Sequence, residues 1–268
     1  MTTTAGDAHP IESPDTTGGS LKVQDLRRHF GGVWAVDGAS FVVPTGSITS
    51  LIGPNGAGKS TVVGIIGGAI RPNSGHVVFD GDDVTRLSVH ERARRGLIRT
   101  YQLSSEFRRL TVLENLLVAA PRQRGESLVT LLLGKRHWRD QERDLVARAR
   151  ELLNRFSMSE KENEYAGELS GGQKRLVEIM RGLMAEPRML LLDEPMAGVN
   201  PTLARTIERH LVELAQDGLT LFLVEHELDV VERISHSVIA MSFGRVLATG
   251  TMAELRTSRE VMNAYLGE

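Results

Sequence analysis

A glycine-rich octapeptide, GPNGAGKS, occupies residues 53–60 and follows an apolar run at residues 50–52. A helical pattern begins directly after it, at residues 61–66. Glycines let the backbone curl so that successive N–H groups and the start of the following helix point at one anion. The order of strand, G-x-x-x-x-G-K-[ST] and helix therefore predicts a loop that binds the phosphates of a nucleotide.

The end of this loop carries the side chains that phosphate chemistry needs. We expect Lys59 to reach the β- and γ-phosphates and Ser60 to ligate Mg²⁺. A glycine-rich turn that matches by accident is the alternative, and the strand-loop-helix context argues against it. The predicted nucleotide-binding residues of the segment are Gly53, Pro54, Asn55, Gly56, Ala57, Gly58, Lys59, Ser60 and Thr61.

Composition narrows the classes of protein that can carry such a loop. The chain has 268 residues, of which 41% are hydrophobic and 25% charged, as is ordinary for a globular protein. Its 32 basic and 34 acidic residues give a net charge of −2, so we expect no nucleic-acid partner. The cysteine count of 0 excludes disulfides and thiolate nucleophiles.

No segment of the sequence has the character of a membrane span or of a secretory signal. The uncharged stretch at residues 38–58 is long enough to cross a bilayer, but its prolines, glycines and hydroxyl side chains make it too polar. Residues 1–19 lack the basic start and the apolar centre of a signal peptide. Their Thr-, Gly- and Pro-rich composition predicts a disordered tail.

Strand and helix patterns fall into two β-containing blocks separated by a helical region. Strands are expected at residues 21–25, 39–43, 47–52, 76–80, 189–192 and 219–224, with a hairpin near Phe243. Helical patterns take over after Val89, where arginines cluster, and recur at residues 145–156, 202–216 and 227–234. The alternation of strands and helices in the second block predicts a mostly parallel sheet.

Two adjacent acids, Asp193 and Glu194, end the apolar run at residues 189–192. A buried parallel strand delivers its last side chains to the carboxyl edge of the sheet, where phosphate sites lie. We expect Asp193 to hold the Mg²⁺ shell and Glu194 to orient or deprotonate the attacking water. Capping of a following helix is the alternative for such a pair, and the phosphate-binding loop favours the functional interpretation.

A second glycine turn, LSGGQ at residues 169–173, precedes a helical pattern at residues 174–184. It predicts a second anion site, although a Ser-Gly-Gly string also makes an ordinary helix N-cap. The three motifs in this order resemble the ATP-binding-cassette (ABC) ATPases over about residues 21–268. The resemblance implies an α/β P-loop NTPase fold with a mixed-sheet core at residues 20–90 and 167–268, an antiparallel β subdomain and a helical insert at residues 91–166.

The resemblance also assigns roles that the residues alone do not reveal. Gln102 matches the Q-loop glutamine, and His226 matches the switch histidine that contacts the γ-phosphate. Phe30 matches the aromatic residue that stacks on adenine, with a core phenylalanine as the alternative. Asn200 stands where the family usually has an aspartate, and its amide can still hydrogen-bond.

In this family each ATP lies between the phosphate loop of one chain and the signature turn of another. The resemblance therefore implies a head-to-tail homo- or heterodimer in which Ser170, Gly171, Gly172 and Gln173 contact the ATP of the partner chain. ATP and Mg²⁺ are the implied cofactors. The implied catalytic residues are Lys59, Gln102, Glu194 and His226, and the implied metal-site residues are Ser60, Gln102 and Asp193.

Finer strings resemble the ATPase subunits of branched-chain amino acid importers. These strings are RTYQ at residues 99–102, TVLENLL at 111–117, AGVNP at 197–201, AYLGE at 264–268 and the long insert at 121–138. Urea or amide importers share most of these strings, and the lipopolysaccharide-exporting ATPase shares RARRG at residues 92–96 and FRRL at residues 107–110. A soluble non-transport ABC protein is less favoured. The implied partners are two integral-membrane permease subunits and a solute-binding protein, with the chain peripheral on the cytoplasmic face of the inner membrane.

Overall fold

The computed structural model describes residues 19–100, 105–121 and 136–266. Gln102, most of the long insert and residues 1–18 of the predicted tail lie outside this described part. The backbone N–H of Gly19 donates to the carbonyl oxygen of Arg188 at 2.9 Å. The predicted tail at residues 1–19 therefore includes one residue that is bonded to the folded domain.

Strands and helices alternate through the described residues. The strands are β1 Leu21–Phe30, β2 Val33–Val43, β3 Ile48–Ile52, β4 Ser74–Phe79, β5 Asp82–Asp83, β6 Leu97–Arg99, β7 Met189–Asp193, β8 Thr220–Val224, β9 Ser237–Ser242 and β10 Arg245–Gly250. The helices are α1 Lys59–Ile66, α2 Val89–Arg94, α3 Val112–Ala119, α4 Arg136–Arg155, α5 Gly171–Met184, α6 Pro201–Gln216, α7 Leu228–Ile234, α8 Met252–Thr257 and α9 Arg259–Leu266. In the described residues, no helix is both long enough and apolar enough to cross a bilayer.

Four strands form an antiparallel sheet in the order β2-β1-β4-β5. Leu21, Val23 and Leu26 are buried on one face of β1, while most of the intervening side chains are exposed. The β1–β2 hairpin turns at Gly31, which has a left-handed φ of 56°. This sheet is the antiparallel subdomain that the resemblance implies.

The second sheet has six strands in the order β10-β9-β3-β8-β7-β6. Five of these strands run parallel, and β10 pairs with β9 in the antiparallel direction. Because β3, β7 and β8 are parallel neighbours, the residues that follow them meet at one edge of the sheet. The predicted α/β fold with a mixed-sheet core is confirmed.

The two larger of three apolar cores in the described residues lie on opposite faces of the core sheet. One core lies against α3, α4, α5 and α6, and the other lies against α1 and the antiparallel sheet. β7 contributes Leu190 and Leu192 to the helical side, and Met189 and Leu191 to the other side. β8 alternates in the same way, as expected for a strand whose successive side chains point to opposite faces.

Strand β6 changes the expected boundary of the helical insert. Leu97–Arg99 pairs in parallel with β7 and is therefore an edge strand of the core sheet. The sequence placed the start of the insert at residue 91, inside α2 and before this strand. Three residues are too few to show the alternation that identifies a strand, and the surrounding arginines favoured a helix.

Candidate nucleotide-binding and hydrolysis site

Two glycines fix the path of the loop between β3 and α1. Gly53 and Gly58 have φ values of 154° and 99°, which side-chain-bearing residues rarely adopt. A Cβ atom at Gly53 would collide with the carbonyl oxygen of Met241, and one at Gly58 with the carbonyl oxygen of Ala35. Asn55 and Gly56 are exposed at the tip of the loop, and Ala57 is buried. These constraints explain why the loop needs glycine at both ends.

Lys59 is the first residue of α1 and lies inside the curve of the loop. Its Nζ donates to the carbonyl oxygens of Gly53 and Pro54, at 2.6 and 3.0 Å. The N-cap residue Gly58 has no side chain with which to cap the helix, so the N–H groups at the start of α1 are left for another acceptor. A buried cation beside a helix N-terminus favours an anion, and a nucleotide phosphate is such an anion.

The two acids predicted for hydrolysis occupy the end of β7. Asp193 is half-buried, and its Oδ2 accepts a hydrogen bond from Nη2 of Arg99 at 3.1 Å. Glu194 has a left-handed φ of 48°, and its N–H donates to the carbonyl oxygen of Val224 at 2.9 Å. The chain therefore turns sharply at Glu194 while it remains bonded to the end of β8.

His226 follows β8 and lies beside Glu194. The distance from its Nδ1 to Oε1 of Glu194 is 3.9 Å. Both side chains are about half exposed, at 53% and 47%. The structure therefore brings the predicted switch histidine and the predicted water-activating carboxylate together at the edge where β7 and β8 end.

An open cleft of about 430 Å³ connects the loop with the acidic pair. It is lined by Ser60, Arg99, Thr100, Arg175, Glu178, Asp193, Glu194 and Ala197. Ser60 and Asp193, which come from distant parts of the sequence, therefore face the same space. Arg175 and Glu178, which follow the signature turn on α5, line the cleft, and residues 170–173 are not among its lining residues.

The donor set of the cleft fits a magnesium ion. Mg²⁺ prefers oxygen ligands and is usually held by one or two protein groups, with phosphate oxygens and water in the other positions. The hydroxyl of Ser60 and the carboxylate of Asp193 are ligands of this kind, and both line the cleft. Gln102, the third predicted metal-site residue, lies outside the described residues.

The cleft contains two charged pairs that the sequence did not predict. Arg99 contacts Asp193 across 94 positions of sequence, which no local pattern reveals. Arg175 pairs with Glu178 at 2.6 Å, and its Nη2 also donates to the carbonyl oxygen of Glu194 at 3.1 Å. The i,i+3 spacing of Arg175 and Glu178, directly after the signature turn, was the available signal.

Phe30 lies at the end of β1 and is 47% exposed, which excludes the alternative of a core phenylalanine. The guanidinium carbon of Arg28 is 4.6 Å from the centre of its ring. The returning strand β2 contacts the loop region, because Asp37 N–H donates to Gly244 and Gly244 N–H donates to Ala57. An exposed ring on this hairpin is therefore available for stacking.

The signature turn forms a helix N-cap. Ser170 Oγ accepts from the N–H of Gln173, and Gln173 Oε1 accepts from the N–H of Ser170, which is a capping box at the start of α5. A Cβ atom at Gly172 would collide with Leu203, whereas Gly171 has open space around it. The alternative of an ordinary cap is thus present in the structure, and the open side at Gly171 leaves room for a ligand.

Asn200 also caps a helix. Its Oδ1 accepts from the N–H of Leu203 at 3.0 Å, and Pro201 occupies the first turn of α6. Asparagine and aspartate are nearly equal as N-cap residues. The replacement of the usual aspartate therefore preserves the local structure, while it removes one negative charge.

The fold and this site define an ATP-binding-cassette ATPase. The family model described as ABC transporter matches residues 36–197, and the chain belongs to this family. The chain is 38% identical over 252 residues to the probable branched-chain amino acid transport ATP-binding protein LivG of Methanocaldococcus jannaschii. It is 37% identical over 249 residues to the high-affinity branched-chain amino acid transport ATP-binding protein BraF of Pseudomonas aeruginosa. These matches cover 92% of this chain and 97% and 98% of the two relatives.

Solved structures agree with this assignment. A nucleotide-free ATP-binding cassette from an ABC transporter superposes with a TM-score of 0.82 at 36% identity, covering 93% of this chain and 100% of its own. A dimeric ATP-binding cassette bound to ADP and Pi in a post-hydrolysis state gives a TM-score of 0.71 at 25% identity, covering 87% of this chain and 98% of its own. The present chain is therefore an ATP-hydrolysing cassette of the ABC transporter family.

Proposed function

We propose that this chain is the ATPase subunit that drives the import of branched-chain amino acids through two permease subunits. The observation that carries the proposal is the meeting of Ser60, Asp193 and Glu194 in one cleft, with His226 3.9 Å from Glu194. The branched-chain cargo rests on the relatives, which cover nearly the whole chain and bear that function in their names.

The proposed site divides the work of hydrolysis among a few residues. Residues 53–61 bind the phosphates, with Lys59 beside the β- and γ-phosphates, and Phe30 stacks on the base. Ser60 and Asp193, with Gln102, hold Mg²⁺, which neutralises charge on the phosphate oxygens when it is bound. Glu194 orients the attacking water and accepts its proton, and His226 contacts the γ-phosphate.

A second cassette completes each proposed site. In the family that the chain belongs to, the signature turn contacts the nucleotide of the partner chain, and the open space at Gly171 leaves room for such a contact. The N-terminus of α5 supplies N–H groups and a positive dipole end for the phosphates there. ATP binding then closes the dimer, and hydrolysis reopens it, which delivers the motion to the permeases.

The membrane partners follow from the same assignment. Transport requires integral-membrane permeases, and the described residues of this chain contain no helix that could cross a bilayer. We place the chain at the cytoplasmic face of the membrane, bound to two permease subunits and served by a solute-binding protein.

Reconstitution tests the proposal directly. Vesicles that contain the permease pair and this chain, with ATP and Mg²⁺ on the ATPase side, are expected to accumulate leucine, isoleucine and valine when the binding protein is added. Vesicles with the Glu194→Gln chain are expected to accumulate none. Uptake of urea or short amides in place of leucine would overturn the cargo, and uptake without hydrolysis would overturn the ATPase role.

A further inference from the structure

Glu225 is a buried carboxylic acid between the end of β8 and His226. It is 1% exposed, and its own N–H donates to the carbonyl oxygen of Leu51 at 3.3 Å. Its Oε1 accepts from the N–H of Met196 at 3.3 Å, while its Oε2 is buried without a partner in the described part of the chain. Burying a carboxyl group is costly, so a site that retains one needs a reason for it.

The hydrogen bond from Met196 connects two segments of the hydrolysis site. Residues 194–197 form a turn in which Ala197 N–H donates to the carbonyl oxygen of Glu194 at 3.1 Å. This turn is bonded to β8 at Glu194, through the carbonyl oxygen of Val224, and again at Met196, through the side chain of Glu225. The second bond fixes the turn on the side that leads into residues 197–200.

The charge of Glu225 is compatible with this position. Burial raises the pKa of the Glu225 carboxyl to about 7, and the nearby carboxylates of Glu194 and Glu227 raise it further, while the N–H groups of Met196 and His226 oppose the shift. Near neutral pH a large fraction of Glu225 is therefore uncharged. An uncharged carboxyl does not repel Glu194, and it still accepts the hydrogen bond from Met196.

We propose that Glu225 is a positioning residue for ATP hydrolysis, which holds the turn at residues 194–197 against the end of β8 and so keeps Glu194 and His226 in register. The proposal rests on the proposed roles of Glu194 and His226. Hydrolysis depends on the placement of the water-orienting carboxylate, and an error of about 1 Å in such placement costs about 100-fold in rate. Binding of ATP depends on the loop at residues 53–61 and is separate from this bond.

Substitutions that keep or remove the acceptor test the proposal in the full-length chain with Mg-ATP. Glu225→Met has a similar volume and no acceptor, and we expect it to lower kcat about 10- to 100-fold with KM for ATP within about twofold. Glu225→Gln keeps an uncharged acceptor, and we expect its kcat to stay within about threefold of wild type. Glu227→Met and Glu227→Gln are the matched controls, because Glu227 is exposed and lies two residues away.

A shorter acid covers the case in which the Met variant does not fold. Glu225→Asp keeps the carboxyl group but withdraws it from Met196, and we expect it to lose about as much kcat as the Met variant. Wild-type kcat in the Met or Asp variant would overturn the proposal, as would equal losses in the Gln and Met variants or a loss expressed mainly in KM.

Parallel assay of Glu194→Gln separates this inference from the proposed function. If Glu194→Gln is inactive while Glu225→Met hydrolyses at the wild-type rate, only the positioning role fails. If Glu194→Gln hydrolyses at the wild-type rate, the proposed role of Glu194 fails, whatever the Glu225 variants do.

Discussion

The left-handed backbone at Glu194 makes glutamine the best substitution for testing this residue. A backbone φ of 48° is strained for glutamate and for glutamine alike. The strain therefore cancels when Glu194→Gln is compared with wild type. We expect Glu194→Gln to keep ATP binding and to lower hydrolysis by about 100- to 10,000-fold, because it removes the proton acceptor. Phosphate release and size-exclusion runs with and without ATP measure the loss and the trapped dimer. A variant that hydrolyses at the wild-type rate would reduce Glu194 to a structural turn residue.

The exposed ring of Phe30 is expected to contribute to nucleotide affinity by stacking on the base, without discriminating between bases. Phe30→Ala is expected to weaken ATP binding by about 1–3 kcal/mol, and GTP binding by a similar amount, because every base has a π-face. Titration with both nucleotides measures the effect. Val33→Ala is the control, since Val33 pairs with Phe30 across the hairpin and is 72% exposed. Unchanged ATP affinity in the Phe30 variant would remove the residue from the binding site.

Glu225 links stability to pH. Its pKa of about 7 in the folded chain lies above the ordinary value of 4.5, so the folded state keeps a proton that the unfolded state releases. This stabilisation is complete below about pH 4.5 and falls as the pH rises to about 7, by about 3 kcal/mol in all. Glu225→Gln removes this pH dependence. The free energy of unfolding of the variant, relative to that of wild type, is therefore expected to rise between pH 5 and pH 8, as measured by urea unfolding. Glu227→Gln, at an exposed site, is expected to track wild type at both pH values.

The site residues that the sequence predicted are those whose chemistry is written in contiguous motifs. The functional residues of the loop at residues 53–60 are contiguous in the sequence, as are Asp193 and Glu194. The fold brings both segments to one edge of the sheet. Arg99 and Glu225 could not be found in this way. Their partners are supplied by strand neighbours that only the sheet order defines.

At the scale of elements, a buried arginine joins α2 to the end of α1. Arg92 is 1% exposed, and its guanidinium donates to the carbonyl oxygens of Ile65 and Ile66 at the last turn of α1. It also donates to the carbonyl oxygens of Thr85 and Leu87 before α2. Burial lowers the pKa of Arg92 to about 10, so it stays charged at neutral pH and complements the negative end of α1.

We expect Arg92→Met to lower the free energy of unfolding by about 2–4 kcal/mol, because it removes the buried guanidinium that donates to these four carbonyl groups. Urea unfolding measures the difference. Arg94→Met on the exposed side of the same helix is the control and is expected to change the stability by less than about 0.5 kcal/mol. Equal stability of the two variants would show that α1 does not depend on this contact.

The type of the predicted elements could be read from the sequence except at β6, and their length was less predictable. The strand predicted at residues 21–25 continues to Phe30, through the buried Leu26 and a basic segment whose side chains are partly or fully exposed. Its pairing with β2 and β4 sustains it there, although the register shifts between Val23 and Leu26. The helix predicted at residues 174–184 begins at Gly171, because the capping box at Ser170 starts it earlier than the apolar pattern does.

At the scale of the whole molecule, we expect Arg108 and Arg109 to form part of the surface that docks onto the permeases. Both are exposed at the end of the 3-10 helix Ser105–Arg109, and neither guanidinium makes an ion pair with another described residue. Guanidinium groups bind carboxylates and carbonyl oxygens in pairs, which suits a cytoplasmic loop of a permease. Charge reversal of both is expected to leave basal ATPase activity within about threefold of wild type while cargo-stimulated hydrolysis and uptake are lost.

Pull-down with the permease pair and vesicle uptake measure the two parts of this prediction. Lys22→Glu with Arg71→Glu is the matched control, because it makes the same change of net charge at exposed positions elsewhere. Normal uptake by the Arg108 and Arg109 variant would refute the docking role and leave the ATPase assignment intact.

Successive side chains of β7 and β8 point into two different apolar cores, and this arrangement affects how the molecule unfolds. Leu190 and Leu192 belong to one core while Met189 and Leu191 belong to the other, so each strand contributes side chains to both cores. Removing the helical layer would expose one whole face of the strands that position Asp193 and His226. We therefore expect the loop, the core sheet and the helices to unfold together, so that a fragment without the helical layer would not hydrolyse ATP.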